Sequence, residues 1–226
     1  MSFWGKFGSD GTEIATASIT MPRNTISVQR EPRSFSGGWK GACVVRETVR
    51  VTTSNHIVTT ERLQLVPLPL DLLDAVLLGD WARARALAPF PLTAQTFAGD
   101  RYVLELRQAQ LRADPTIEAW LYRVAVDRTT GQVVARIGFH AAPDAAATVE
   151  VGYSVQPEHR GLGLATEMAT GLIAWAGQRG VRRVLASTAP TNLPSQAVIA
   201  KLGFVRTGEQ LDEIDGLEWV YTLSLG

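Results

Sequence analysis

A loop with two glycines, placed between a predicted strand and a predicted helix, is the part of this chain best suited to bind a phosphate. It lies in the stretch from Glu150 to Met168, EVGYSVQPEHRGLGLATEM. Gly161 and Gly163 have no Cβ, so their backbone amides can approach a bulky anion closely and adopt torsions that other residues avoid. The helix that follows directs its unpaired N–H groups and the positive end of its dipole at the same point. The pattern therefore predicts a phosphate-binding site.

Two common phosphate loops do not fit this spacing. A Walker-type loop ends in Gly-Lys-Ser/Thr, and no lysine occurs between Lys40 and Lys201. A Rossmann fingerprint needs an acidic residue roughly 20 positions on, at the end of the next strand, to hold a ribose. The next predicted strand, Val181 to Ser187, is followed by Thr188 and carries no such acid. A nucleotide-binding protein of either kind is disfavoured.

Three segments, taken together, indicate a different kind of phosphate site. Arg160-x-x-Gly163-x-Ala165 matches the pattern Q/R-x-x-G-x-G/A, and residues 192–204, NLPSQAVIAKLGF, match N-x-x-S-x-x-x-x-x-K-x-G-F. Residues 60–68, TERLQLVPL, match T-E-R-L-x-L-R-P-L, with Val66 where arginine is frequent. In this order and spacing they resemble the GCN5-related N-acetyltransferase (GNAT) superfamily, and within it the Rim-type (RimJ/RimL-like) branch. The resemblance extends from Thr60 to the last residue.

This resemblance implies a fold and a co-substrate. The fold is α/β (α+β), the GNAT fold, a mixed central β-sheet with helices on both faces, splayed between the fourth and fifth strands. The co-substrate is acetyl-coenzyme A, whose pyrophosphate the loop would hold and whose pantetheine arm would run beside Val155 and Gln156. Asn192 is a side-chain contact to that arm or simply a helix cap. The implied binding residues are Val155, Gln156, Arg160, Gly161, Leu162, Gly163, Leu164, Ala165, Asn192 and Ser195.

Acetyl transfer to an amine is faster with a base in reach, because a primary amine is mostly protonated at neutral pH. Glu150 is the first candidate. If Val149, Val151 and Tyr153 share one face of the sheet, Glu150 lies on the other face of the strand that leads into the loop. In several GNAT enzymes a glutamate at the corresponding place acts as base, and an ordinary solvated glutamate is the alternative. His140, at the end of the preceding strand, is the second candidate, with a structural histidine as its alternative.

The leaving thiolate can be protonated by an acid. Many family members have a tyrosine for this two positions before the lysine of the K-x-G-F element, and Ile199 stands there in this chain. The resemblance to Rim-type members gives the role to Ser195, earlier in the same helix. A cap in the first helical turn is the alternative for this serine.

These residues lead to one principal functional hypothesis and one rival. The principal hypothesis is an acetyl-CoA-dependent N-acetyltransferase that acts on a primary amine, either a protein N-terminal α-amine or a small-molecule amine. Transfer would be by direct attack in a ternary complex, since no cysteine or other nucleophile is placed to form an acetyl-enzyme. The rival is a non-catalytic acyl-CoA-binding module, which would keep the loop and lose the base.

Composition limits the partners and the location. The 22 basic and 22 acidic side chains give a formal net charge of zero, which provides no electrostatic case for nucleic acid or an anionic membrane. The single cysteine, Cys43, excludes an internal disulfide framework, and the three histidines show no metal-ligand spacing. No apolar run reaches the roughly 20 residues that span a bilayer, and no signal peptide is evident. We therefore expect a soluble cytoplasmic protein, monomeric or homodimeric, without a metal.

The chain divides into two parts. Residues 1–57 are rich in Gly, Ser, Thr and Arg and lack a sustained period, so this N-terminal extension is predicted to be disordered or loosely packed. Residues 58–226 form the predicted acetyltransferase domain. Its predicted strands are Glu61–Leu65, Trp120–Val126, Val133–Phe139, Thr148–Val155, Val181–Ser187 and Leu217–Leu223, the last closing the sheet. Its predicted helices begin with Leu70–Leu78, closed by Gly79, and a short helix through Leu87 that Asp80 can cap. The next is Asp100–Leu111, with Tyr102, Leu106 and Ala109 on one face. The last two are the helix after the loop, with a buried stripe from Leu164 to Trp175, and Pro194–Leu202, with Asn192 near its N-cap.

Five aromatic residues lie in the half of the domain that forms the acceptor pocket in the family, and most are expected in the core. They are Trp81, Phe90, Phe97, Tyr102 and Trp120.

Overall fold

The computed structural model describes residues 56–212 and 216–226, which build a mixed eight-stranded β-sheet with helices on both faces. The strands are β1 (Val58–Thr59), β2 (Leu63–Pro67), β3 (Arg123–Asp127), β4 (Val133–Phe139), β5 (Thr148–Val155), β6 (Arg183–Thr188), β7 (Val205–Asp212) and β8 (Gly216–Ser224). The prediction for the first 57 residues lies outside the described part except at His56 and Ile57. It stays a prediction.

The sheet opens between β5 and β6. Its strand order is β1-β2-β3-β4-β5-β6-β8-β7, and every neighbouring pair is antiparallel except β5 with β6. These two parallel strands pair only over Thr148–Glu150 and Arg183–Leu185, although β5 continues to Val155. Counted from β2, they are the fourth and fifth strands, so the splay implied by the resemblance is confirmed.

Two groups of helices cover the two faces. The helices are α1 (Leu70–Leu78), α2 (Trp81–Leu87), α3 (Arg101–Ala113), α4 (Leu164–Gly177) and α5 (Leu193–Lys201). Buried side chains of α1 and α3 pack with β2 and β3 in one core, and those of α4 and α5 pack with β4, β5 and β6 in another. Among the described residues no helix is long and apolar enough to cross a membrane.

The helix ends follow the local sequence. Gly79 ends α1 in the left-handed conformation at φ +72°, and Asp80 Oδ1 accepts a hydrogen bond from the Arg83 amide at 3.0 Å to begin α2. Asn192 Oδ1 accepts from the Ser195 amide at 3.3 Å at the start of α5. The predicted caps at all three places are confirmed.

The strand predicted from Trp120 begins later. Residues Pro115–Trp120 form a 3₁₀ helix, and β3 starts only at Arg123. Asp114 caps this turn by accepting from the Thr116 amide at 2.9 Å, and Pro115 fits its first position. The end of the turn packs directly on β4, because a Cβ on Gly138 would lie 2.2 Å from the Leu121 carbonyl oxygen.

The third helix buries a different side from the one that carries Tyr102, Leu106 and Ala109. Tyr102 and Leu106 are exposed, and the buried side of α3 consists of Val103, Leu104, Arg107 and Leu111. The buried side includes a charged residue, which obscures the apolar period in the sequence.

The strand expected to close the sheet does not lie at its edge. β8 pairs with β6 on one side and with β7 on the other, so β7 is the edge strand. From Val205 to Leu211 every side chain of β7 is exposed. An edge strand with no buried face gives no alternating apolar pattern, which is why the sequence did not indicate it.

Candidate active site

The glycine loop and the start of α4 form a cradle of backbone amides. β5 ends at Val155, a 3₁₀ turn follows at Pro157–His159, and α4 begins at Leu164 with Gly163 as its N-cap. Gly161 and Gly163 both have φ +78°, a region that side chains with a Cβ rarely adopt. Two glycines in this conformation turn successive amides toward the end of the helix, where the dipole favours an anion.

A cavity of about 310 Å³ lies between this loop and α5. Its described lining contains no acidic side chain and does contain Arg160 and Lys201. Seven of the predicted binding residues line it: Val155, Arg160, Gly161, Gly163, Leu164, Ala165 and Ser195. The shape, the amides and the charge all fit the phosphate-bearing end of a coenzyme.

Three predicted binding residues lie elsewhere. Gln156 lines a second cavity, Leu162 is more than half exposed, and Asn192 is buried as the cap of α5. The Arg160 side chain turns back, its Nε donating to the Val155 carbonyl at 3.1 Å, so the arginine also closes the turn.

Tyr153 is a residue of this cavity that sequence reasoning did not select. It ends the buried face of β5, and its hydroxyl lies 3.5 Å from the Ser195 carbonyl oxygen on α5. Burial raises the pKa of Tyr153 to about 12, although the contact with Ser195 opposes this shift. The tyrosine thus links β5 to α5 across the opening of the sheet.

The other face of β5 carries Glu150. Val149, Val151 and Tyr153 are buried in the core with α4, so the predicted alternation along this strand is confirmed. Ser187 donates its hydroxyl to Glu150 Oε1 at 2.7 Å, and His140 Nδ1 lies 3.6 Å from Oε2. Sequence candidates from two separate strands therefore meet here.

The protonation of Glu150 follows from these neighbours. Partial burial alone would raise the pKa of Glu150. The adjacent His140 imidazole and the Ser187 hydroxyl outweigh burial and hold the pKa below its ordinary value. The group is a carboxylate through the neutral range.

The backbone at His140 is fixed by α3. Arg107 Nη1 and Gln110 Nε2 both donate to the His140 carbonyl oxygen, at 2.7 and 2.9 Å. Burial lowers the pKa of Arg107 to about 10. Sequence reasoning missed both residues, and the only signal was a basic residue among the apolar positions of this helix.

A second cavity, of about 580 Å³, lies beside the end of β5. Ser154, Val155 and Arg160 line both cavities, and Thr96, Arg136 and Gln156 belong to the larger one. Arg136 pairs with Ser154, which has the same strand parity as Glu150, so the Arg136 side chain lies on the Glu150 face of the sheet. Because Arg136 lines the larger cavity and not the smaller one, the larger cavity adjoins that face.

The larger cavity is braced by a buried ion pair. Arg136 Nη1 lies 2.5 Å from Asp100 Oδ2, and the Tyr122 hydroxyl donates to the same oxygen at 2.9 Å. Burial raises the pKa of Asp100 to about 6, against the opposing effects of Arg136 and Tyr122. The pair joins α3 to β4 under the cavity.

The five aromatic residues do not line either cavity. Phe90 and Phe97 are buried, as expected, and Trp81 is half-buried against the same core. Trp120 packs instead on the α4 side, 5.9 Å from Phe139 and 4.9 Å from Trp175 between ring centroids. Within residues 56–212 and 216–226, no group of three or more His, Cys, Asp or Glu side chains could hold a metal ion.

Comparison with known proteins identifies the family. A sequence model described as an acetyltransferase (GNAT) domain matches residues 62–205, more than half of the chain. The chain belongs to the GNAT acetyltransferase family. It is therefore an acetyltransferase, and the acetyl donor of this family is acetyl-CoA. Membership in a family of acetyltransferases favours the enzyme over the non-catalytic acyl-CoA-binding module.

Individual relatives are distant. The N-acetyltransferase YjdG of Bacillus subtilis (strain 168), itself uncharacterised, is 26% identical over 170 residues, which are 73% of this chain and 97% of YjdG. The ribosomal-protein-S5-alanine acetyltransferase of Vibrio fischeri superposes with a TM-score of 0.52 at 21% identity, covering 74% of this chain and 96% of its own. Mycobacterium smegmatis RimJ in complex with CoA-disulfide superposes with a TM-score of 0.52 at 18% identity, covering 77% of this chain and 88% of the RimJ chain. These structures support the GNAT fold.

Proposed function

We propose that this GNAT enzyme transfers the acetyl group of acetyl-CoA to a primary amine, by direct attack while both substrates are bound. The observation that carries the proposal is that β5 has a candidate coenzyme site on one side and a candidate base on the other. The amide cradle and its cavity lie on the side of α5, and the Glu150–His140 pair lies on the opposite face of the strand. The three sequence motifs and the similarity to solved Rim-type structures lead us to place the chain in the Rim-type branch.

On the coenzyme side, the chain supplies binding and orientation. Gly161 and Gly163 would present amides to the pyrophosphate, with Arg160 and Lys201 adding positive charge. Ser195, buried at the start of α5, lines the same cavity and would donate a hydrogen bond to the departing sulfur. The thioester itself supplies an activated acetyl group.

On the amine side, we propose that Glu150 and His140 act as one unit. A carboxylate with a lowered pKa is a weak base for an ammonium ion, but it can hold an imidazole in a fixed orientation. With Nδ1 directed at Glu150, Nε2 is the ring nitrogen that would take the proton from the amine, directly or through a water. Ser187 keeps the carboxylate in place.

The dimensions favour a peptide as the acceptor. Ser154, at the larger cavity, lies four strand positions from Glu150, a separation of about 13 Å along β5. An acceptor with its amine at Glu150 and its other end in the cavity spans about four extended residues. An α-amine, with a pKa of about 7.7–8.0, also needs less help from a base than a lysine side chain does. A protein N-terminus fits better than a small-molecule amine, which is the alternative.

A thiol-release assay tests this proposal. Acetyl-CoA would be offered with N-terminal peptides of two to six residues, with the same peptides acetylated at their α-amine, and with small amines such as polyamines. We expect release with free peptides, rising with length to about four residues. Release with small amines alone would point to the alternative acceptor. No release above the rate in water with any amine would contradict the proposed function.

A further inference from the structure

Arg62 connects the start of the domain to the phosphate loop across 100 residues of sequence, and to the first turn of α4 across 105. Its side-chain Nε lies 2.6 Å from Glu167 Oε2, and its backbone amide donates to Glu167 Oε1 at 2.7 Å. The Arg62 Nη1 group donates to the carbonyl oxygen of Leu162 at 3.0 Å. One guanidinium group thus contacts both the loop and the first turn of α4.

The contact with Leu162 fixes the direction of an amide. The chain has no cis peptide bond among its described residues, so the Leu162 carbonyl and the Gly163 N–H point in opposite directions within their shared peptide plane. Because Arg62 holds the carbonyl on its own side, the Gly163 N–H is turned away from the arginine. Gly163 lines the 310 Å³ cavity, and Arg62 is not among the residues that line it.

The contact with Glu167 solves an electrostatic problem. A carboxylate in the first turn of α4 would repel a pyrophosphate bound at the same helix end. Partial burial would raise the pKa of Glu167, but hydrogen bonds from Thr60 and Arg62 and the charge of Arg62 hold it below its ordinary value. The carboxylate is therefore ionised, and Arg62 is the charge that neutralises it.

We infer that Arg62 is a positioning residue for the donor. It aims the Gly163 amide into the coenzyme cavity and cancels the charge of Glu167, while making no contact with the coenzyme itself. The inference rests on the proposed binding of the acetyl-CoA pyrophosphate by this loop. It also gives a physical role to Thr60 and Arg62 in the T-E-R-L segment, since the Thr60 hydroxyl donates to Glu167 Oε1 at 2.6 Å.

The test compares two ligands that differ in their phosphates. Calorimetry would measure the Kd of coenzyme A and of pantetheine, which carries no phosphate, for the full chain and for Arg62→Ala, Arg62→Lys and Arg101→Ala. Arg101 is the matched control, because it forms an exposed ion pair with Glu105 at 2.9 Å in α3 and does not touch the loop. The ratio of the two Kd values does not depend on the fraction of folded protein.

In Arg62→Ala we expect the Kd of coenzyme A to rise about tenfold and that of pantetheine to stay the same. Arg62→Lys should also bind coenzyme A more weakly, because an ammonium cannot bridge Glu167 and Leu162 as a planar guanidinium does. Arg101→Ala should match the unaltered chain. An equal rise for both ligands in Arg62→Ala, no rise for coenzyme A, or full retention in Arg62→Lys would each overturn the inference. If the unaltered chain bound both ligands equally, the pyrophosphate site would be wrong, and the role of Arg62 with it.

Discussion

Glu150 has two neighbours of different chemistry, and each changes what its carboxylate can do. The Ser187 hydroxyl immobilises one oxygen, and the His140 imidazole faces the other. The hydrogen bond from Ser187 restrains the carboxylate, and the contact with His140 couples the carboxylate to an imidazole. A lone glutamate base would need a raised pKa to be effective at neutral pH, which is opposite to the lowered pKa of this carboxyl.

Substitution of the pair tests whether it works as a unit. We expect Glu150→Gln and His140→Asn each to lower turnover by about 10²–10⁴-fold near neutral pH, with the double variant little worse than either. The defect should shrink as the pH rises toward the pKa of the amine, because a neutral amine needs no base. The Kd of acetyl-CoA should be unchanged. A few-fold loss that is independent of pH would mark these residues as structural.

At the residue scale, the sequence indicated Glu150 and His140 as candidates, but it did not indicate the groups that hold them in place. Strand parity and proximity to the loop are local features, so they could be deduced from spacing. Arg107 contacts the His140 carbonyl across 33 residues of sequence, and nothing in its local sequence indicates this partner. The same holds for Arg62, which contacts Glu167 across 105 residues. Contacts of this kind require the tertiary structure.

At the scale of elements, the glycine loop and α4 together form the candidate phosphate site. The buried stripe of α4, from Leu164 to Trp175, was predicted correctly because its apolar residues recur with the helical period. Boundaries were less accurate where a turn competed with a strand, as at Pro115–Trp120. The buried side of α4 packs in the core, and the loop with Gly161 and Gly163 leads into its N-terminus.

Gly163→Val tests the loop, with Gly180→Val as a matched control. Both glycines have a positive φ, +78° and +88°, and a Cβ on either meets nothing closer than 3.7 Å. The left-handed conformation should cost each variant about 1–2 kcal/mol, which thermal unfolding would measure. Only Gly163→Val should weaken coenzyme A binding in calorimetry, because only Gly163 lines the cavity. Unchanged affinity in Gly163→Val would show that the phosphate binds elsewhere.

At the scale of the whole molecule, the fold could be predicted from three short segments, because each forms a part of the structure that requires particular residue types. They form the loop, the capped helix α5 and the tether from Arg62 to α4. The edge strand β7 escaped prediction because it buries almost nothing. The first 57 residues carry none of these segments, and we propose that they are not needed for the domain.

Two shortened chains test this proposal and one of its limits. Arg123 is fully buried, and its Nη1 donates to the His56 carbonyl at 2.5 Å. A chain of residues 55–226 should unfold cooperatively and bind coenzyme A as the full chain does. A chain of residues 58–226 lacks this acceptor and should be less stable by about 1–3 kcal/mol in denaturant unfolding. Failure of the longer one to fold would show that the domain depends on the preceding residues.

The most direct test of acetyl transfer by direct attack is the initial-rate pattern with the concentrations of both substrates varied. If acetyl-CoA occupies the α5 side while an amine waits at Glu150 and His140, both must be bound before any product leaves. Double-reciprocal plots at several fixed peptide concentrations should then give intersecting lines, and coenzyme A should not be released when the amine is left out. Parallel lines, together with release of coenzyme A before the peptide is added, would contradict direct transfer.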